Sequence, residues 1–184
     1  IARGCSEMMG VELMVNFKAP YFALSMRDFW KRWHISLTSW FREYVYFPLG
    51  GSRRGFARTL RNTLIVFALS GLWHGASWTF VVWGLLHALY LCAELIWNRL
   101  RRNAPKAPGP CCKALLLLKT FVLACIAWTF FRADTMADAL AVLGAAFAGL
   151  RHPLTWMQDA WHLLTAGGTL TAAITVFSVL VLLL

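Results

Sequence analysis

Residues Thr63 to Trp97 read TLIVFALSGLWHGASWTFVVWGLLHALYLCAELIW, and Glu94 is the single formally charged side chain in the run. As one straight helix the run would be about 52 Å long, against a bilayer hydrocarbon core of about 30 Å. One crossing therefore cannot account for it. Both flanks are basic, with Arg53, Arg54, Arg58 and Arg61 before the run and Arg99, Arg101, Arg102 and Lys106 after it. Basic flanks stay on the cytoplasmic side, so the run is expected to enter and return as a helical hairpin. Gly71 and Gly75, with Ser70 and Ser77 nearby, supply the place for the helix to break, and irregular backbone at that depth has to be covered by protein.

Working outward, the whole chain fits this reading. Of its 184 residues 59% are hydrophobic and 14% charged, against roughly 25% charged in an average soluble domain. An ordinary water-soluble globule is excluded. The 18 Lys and Arg outnumber 8 Asp and Glu, for a net charge of +10. Because these charges flank apolar spans instead of forming one stripe, they point to membrane lipids and cytoplasmic loops, with no nucleic-acid partner. The five cysteines, Cys5, Cys92, Cys111, Cys112 and Cys125, give no disulfide framework and no metal spacing. Ile1 to Gly10 lacks the apolar core and cleavage pattern of a signal peptide, leaving internal spans to direct insertion. After the Pro-punctuated stretch Asn103 to Pro110, Ala114 to Phe131 reads as a third span. Asp134 to Leu150 reads as a short interfacial helix, and Thr169 to Leu184 as the start of a return span. With no repeat and no second composition, residues 1–184 form one membrane domain. Opening on Ile1 and ending inside an apolar run, the chain reads as the C-terminal portion of something longer. The fold class expected is all-α: a multi-span helical bundle.

Upstream of the hairpin, Ser25 followed three residues later by Asp28 resembles a capping box, and a helix is expected from there to about Tyr46. At 100° per residue Phe29, Trp33, Leu37, Trp40 and Tyr44 share an arc of about 80°, with Arg27, Lys31, Arg32 and Arg42 on the other side. This is the pattern of an amphipathic helix lying in the membrane plane; a core-facing stripe is its alternative. Pro48, Gly50 and Gly51 stop it, and Ser52 to Arg61 reads as a basic loop.

The chemical candidates are histidines. Counting from Thr63 at about 1.5 Å per residue puts His74 about 16 Å into the bilayer, near mid-depth. Intramembrane ionisable residues usually mark pathways or reaction centres. Desolvation there disfavours the imidazolium, and the neutral ring is the form that accepts a proton from a hydroxyl, so general base is its natural role. His34 lies between the aromatic and basic arcs. His87 falls on the second leg, where a helix-to-helix hydrogen bond is its ordinary use. His152 and His162 border the outer segment and are assigned no chemistry. No zinc-protease histidine pair, serine-hydrolase elbow, phosphate loop or close carboxylate pair occurs in an apolar region, and no bound metal or cofactor is expected. Haem ligation by His74 and His87 from the two legs stays open as the rival use of these rings.

Seven motifs now bring in a family resemblance. They are Asn16-Phe-Lys-Ala-Pro-Tyr21, Asp28-Phe-Trp-Lys-Arg-Trp-His-Ile-Ser-Leu37, Trp40-Phe-Arg-Glu-Tyr44, Pro48-Leu-Gly-Gly51, Gly71-Leu-Trp-His-Gly-Ala-Ser-Trp78, Trp83-Gly84 with His87, and Trp128-Thr-Phe-Phe-Arg132. In order and spacing they resemble the membrane-bound O-acyltransferase family, in particular its alginate O-acetylation branch and the related D-alanine transfer proteins of teichoic acid. The resemblance covers about residues 1 to 150. It implies that His74 is the family's intramembrane histidine and His34 its second polar-site residue, with Trp33, Trp73, Gly75 and His87 supporting a tunnel. It further implies a multi-pass protein of the bacterial cytoplasmic membrane. Such a protein passes an acyl group from a cytoplasmic thioester, acetyl-coenzyme A or an acyl carrier, to hydroxyls of an exported polysaccharide or to a periplasmic acetyltransferase-like partner. The rival class is a non-enzymatic subunit of a polysaccharide export complex, either haem-carrying or a scaffold.

Overall fold

The computed structural model describes residues 2–101 and 109–149, together with 151, 152, 154, 155, 158, 161 and 162. All regular structure among these residues is helical: α1 (Ala2–Met8), α2 (Met26–Arg32), α3 (Ile35–Phe41), α4 (Phe56–His74), α5 (Trp78–Leu100), α6 (Pro110–Arg132) and α7 (Met136–Gly149). One 3-10 turn, Pro20–Phe22, precedes α2, and one π-helical turn, Arg42–Tyr46, extends α3. The expected return span at Thr169 to Leu184 lies outside the described residues, as do Arg102 and Lys106 of the basic flank.

The hairpin is α4 and α5, and its break falls at Gly75–Ser77, where Ser77 caps α5 by accepting from the Thr79 N–H at 3.3 Å. Gly71 does not serve the break. It lies inside α4, where a Cβ would collide with the Phe80 carbonyl oxygen, and a Cβ at Gly84 on α5 would collide with the carbonyl oxygen of Phe67. The two glycines are therefore the points of closest backbone approach, the small-residue device of helix pairs in lipid. The first leg also starts earlier than expected. Helix α4 begins at Phe56, so Arg58 and Arg61 are helical, not part of a loop. Buried Asn62 explains the early start: its Nδ2 donates to the carbonyls of Leu49 and Gly51 at 3.2 and 3.0 Å, fastening the Pro48–Gly51 turn to the helix. Helices α5 and α6 are each long and apolar enough to cross a membrane, with mean hydropathies of 1.7 and 2.1.

The expected helix over residues 25–46 is not continuous. Ser25 does cap α2, accepting from the Asp28 N–H at 3.1 Å. At Trp33 the chain becomes extended, and at His34 it enters the left-handed region with φ 43°. Helical periodicity runs unbroken through this stretch, so local pattern cannot reveal the bend. It is imposed from outside by the 16–18 segment. The Asn16 carbonyl accepts from the Ile35 N–H at 3.0 Å, Asn16 Oδ1 accepts from the Ser36 N–H at 2.9 Å, and the Lys18 N–H donates to the Arg32 carbonyl at 3.0 Å. The bend splits the aromatic stripe: Phe29 is fully buried with Ala23, Met26 and Ala124, whereas Trp40 and Tyr44 are exposed.

Candidate functional site

His74 is the last residue of α4. With the helix starting at Phe56, the ring stands about 27 Å along the leg, at the hairpin tip. Its walls are aromatic and come from two other helices. Trp83 of α5 meets it at 5.0 Å and 89°, and Phe131 of α6 at 5.0 Å and 82°. Trp73 is edge-on at 4.9 Å, and Phe80, whose ring lies over Gly75, is at 6.3 Å. The imidazole is half-buried, open on one side.

His34 reaches the same region from the bend between α2 and α3. Non-glycine residues seldom hold a positive φ, and histidine is among the few polar types enriched there. The Asn16 hydrogen bonds hold it in that conformation. Its ring lies 5.9 Å from Phe17, and its Nδ1 is buried with no hydrogen-bond partner among the described residues. A chain of aromatic contacts links the two histidines, which belong to different elements: His34 meets Phe17, Phe17 meets Trp33, and Trp128 and Trp83 continue the chain to His74.

Between them runs a sheet of indoles. Trp33 stacks on Phe29 at 5.6 Å and meets Trp128 at 4.8 Å; Trp128 lies 5.9 Å from Trp83, which touches His74. Trp33 is thus a wall residue. Trp73, 59% exposed, borders His74 from outside the packed layer. His87 is fully buried and also meets Trp83, at 5.1 Å. Its Nδ1 accepts from the Trp30 indole N–H at 3.3 Å, so the neutral ring carries its proton on Nε2. That Nε2, Trp83 Nε1 and Trp128 Nε1 are all buried without a hydrogen-bond partner among the described residues. Through Nδ1, His87 ties Trp30 of α2 to α5. No group of three or more His, Cys, Asp or Glu that could hold a metal occurs among the described residues. Burial, and then the neighbouring Cys125 thiol, pushes the Tyr21 phenol above its usual range, which keeps it protonated and removes it as a rival base.

A cavity of about 660 Å³ opens between α2, α3 and the α4–α5 pair. Its floor is apolar, with Phe41, Phe67 and Leu91, and its lining includes the cations Arg27, Lys31 and Arg42 and no acidic side chain. Neither His34 nor His74 lines it; Trp30 does, and through its bond to His87 it connects the cavity wall to the indole layer.

Three polar residues build this arrangement in ways that motif and hydropathy do not show. Asn16 shapes the bend, and Asn62 ties down the turn before α4. Glu94 of α5 reaches across to α2, its Oε2 accepting from the Met26 N–H at 3.0 Å and the Arg27 N–H at 3.4 Å. A lone acid in an apolar run was the available signal for the last of these.

The sequence model of the membrane-bound O-acyltransferase family (MBOAT) matches residues 8–133, a stretch that contains both histidines. The chain is 42% identical over 143 residues to the peptidoglycan O-acetyltransferase of Helicobacter pylori, covering 78% of this chain and 27% of that protein. It is 41% identical over 148 residues to the probable alginate O-acetylase of Pseudomonas putida, covering 80% and 29%. With the teichoic acid D-alanyltransferase of Streptococcus thermophilus it shares 32% identity over 112 residues, covering 57% and 27%. The chain therefore spans less than a third of the length of these curated relatives.

Proposed function

This chain belongs to the membrane-bound O-acyltransferase family, and we propose that it contributes the histidine-bearing part of a longer bacterial enzyme that O-acylates an exported polysaccharide. The acyl group, acetyl in the first instance, comes from a cytoplasmic thioester on coenzyme A or an acyl carrier. The acceptor is a hydroxyl of the polymer itself or of a periplasmic partner that completes the transfer. The enzyme sits in the inner membrane with several crossings.

In the proposed reaction, neutral His74 takes the proton of the acceptor hydroxyl as its oxygen attacks the thioester carbonyl. The tetrahedral intermediate collapses, the C–S bond breaks, and the imidazolium returns the proton to the departing thiolate. The products are an ester and a free thiol. His34 orients the acceptor or stabilises charge developing on the carbonyl oxygen. The aromatic wall of Trp33, Trp128, Trp83 and Phe131 keeps water from the thioester, which suppresses hydrolysis. The observation that carries this reading is the continuous aromatic layer that links His34 and His74, which stand on separate elements. The names of the relatives, which specify acetyl or D-alanyl transfer to cell-surface polymers, favour it over a scaffold or haem subunit.

The test uses membranes carrying the full-length protein and its His74→Ala variant, supplied with labelled acetyl-coenzyme A and polysaccharide. Label should enter alkali-labile ester on the polymer or a protein partner in the first case only. Equal labelling in both removes His74 from the mechanism, and labelling with a charged acyl carrier alone assigns the other donor.

A further inference from the structure

We propose that Glu94 is a positioning residue of the acyl-transfer site, acting through α2 on His34. The inference rests on the acyltransferase reading above. It begins from an oddity of composition: the one charged side chain of the Thr63–Trp97 run spends its carboxylate on the backbone of another element. Glu94 and His87 are separated by two helical turns, so they project from one face of α5, about 10 Å apart along its axis. Both fasten α2. Glu94 holds the Met26 and Arg27 amides of its first turn, and His87 holds the Trp30 indole about one turn further on. With the Lys18 N–H bonded to the Arg32 carbonyl at its far end, these attachments fix a short helix in direction as well as in place; without Glu94 its first turn is released.

That direction matters because α2 leads straight into the bend. Trp33 closes α2 and His34 follows, with the Asn16 segment setting the bend itself. Met26 is buried at 1% exposure, so the apolar packing of α2 survives without Glu94; the specific orientation does not. Releasing the first turn lets α2 pivot about the Trp30–His87 bond and swings His34 relative to His74. Glu94 itself sits three turns of α5 beyond Trp83, the residue of that helix that touches His74, and so acts from a distance.

Three substitutions separate reach from charge. Glu94→Gln keeps an acceptor oxygen at the same distance and loses the charge. Glu94→Asp keeps the charge and falls one methylene short. Glu94→Leu loses both. Each is measured in the full-length membrane protein, with turnover normalised to folded protein by size-exclusion profile, and with hydrogen exchange at the Met26 and Arg27 amides. Gln is expected to stay within about threefold of wild type in kcat, while Asp and Leu lose tenfold or more with the KM for donor changed less than twofold. Exchange at the two amides should rise tenfold or more in Asp and Leu only. If Leu does not accumulate, the Gln–Asp contrast decides alone. Asp active with Gln inactive, all three equal to wild type, or faster exchange without loss of kcat would each overturn the proposal. Exchange reports on the clamp without reference to chemistry, so a wild-type protein that transfers no acyl group, yet shows the expected exchange pattern, would place the fault in the functional reading and not in the clamp.

Discussion

The two histidines are carried by parts of the molecule built on opposite principles. His74 ends a regular hairpin whose legs are apolar, touch through Gly71 and Gly84, and turn at a capped break. His34 sits on a bend that regular structure disfavours, held there by Asn16 from a distant segment. The hairpin is specified by its own sequence, whereas the bend is specified by partners. Function at the first should therefore fail by losing the imidazole or by prying the legs apart, and at the second by losing any of several remote hydrogen bonds.

The comparison can be broken most severely at the contact of the legs. Gly84→Ala forces a methyl group against backbone, which cannot give way as a flexible side chain would, so folded protein should be lost; a normal monodisperse profile in detergent would disprove the close approach. Next comes His74→Ala, which should leave insertion intact and lower acyl transfer by about 10² to 10⁴, the usual range for a general base. His34→Ala should cost about 10²-fold, the scale of a lost charge-stabilising donor, and leave a measurable residue. Wild-type turnover in that variant would sever the link between the bend and the chemistry. The smallest effect on stability is expected from Trp30→Phe, which leaves the buried His87 Nδ1 without its donor and should cost about 1–3 kcal/mol, read as a fall in thermal midpoint; because this bond is the second attachment of α2, kcat should fall with it. The hairpin itself is sharpened by topology: tags inserted near Arg54 and Arg101 should report the same side of the membrane.

What was legible in the sequence follows this same division. Hydropathy and Gly75 revealed the α4–α5 hairpin, because a helix satisfies its own backbone and leaves little to remote partners; of its two legs, α5 is long and apolar enough to cross a membrane and α4 is not. Ser25 and Asp28 revealed the start of α2 for the same local reason. The bend at His34 was not legible. Its periodicity is helical throughout, and the groups that overrule it, Asn16 and Lys18, lie well upstream in a motif whose residues do not tell which backbone groups they will bond. The early start of the first leg at Phe56 was not legible either, because it follows from Asn62 reaching back to Leu49 and Gly51. Of the site, the two imidazoles and the Trp33 wall could be named from motifs. That Trp83, Trp128 and Phe131 form a single layer beside His74 became visible only in three dimensions.

The left-handed backbone at residue 34 filters that position twice. Torsion alone admits glycine, asparagine, aspartate and histidine with least penalty and turns away branched side chains. Chemistry then asks for a ring or amide able to donate to an oxygen, which discards glycine and an ionised carboxylate. Histidine and asparagine are what remains. An amide in that place would keep the chain geometry and a hydrogen bond while giving up any part in proton traffic, so exchanging the two offers a way to learn which of those services the position renders.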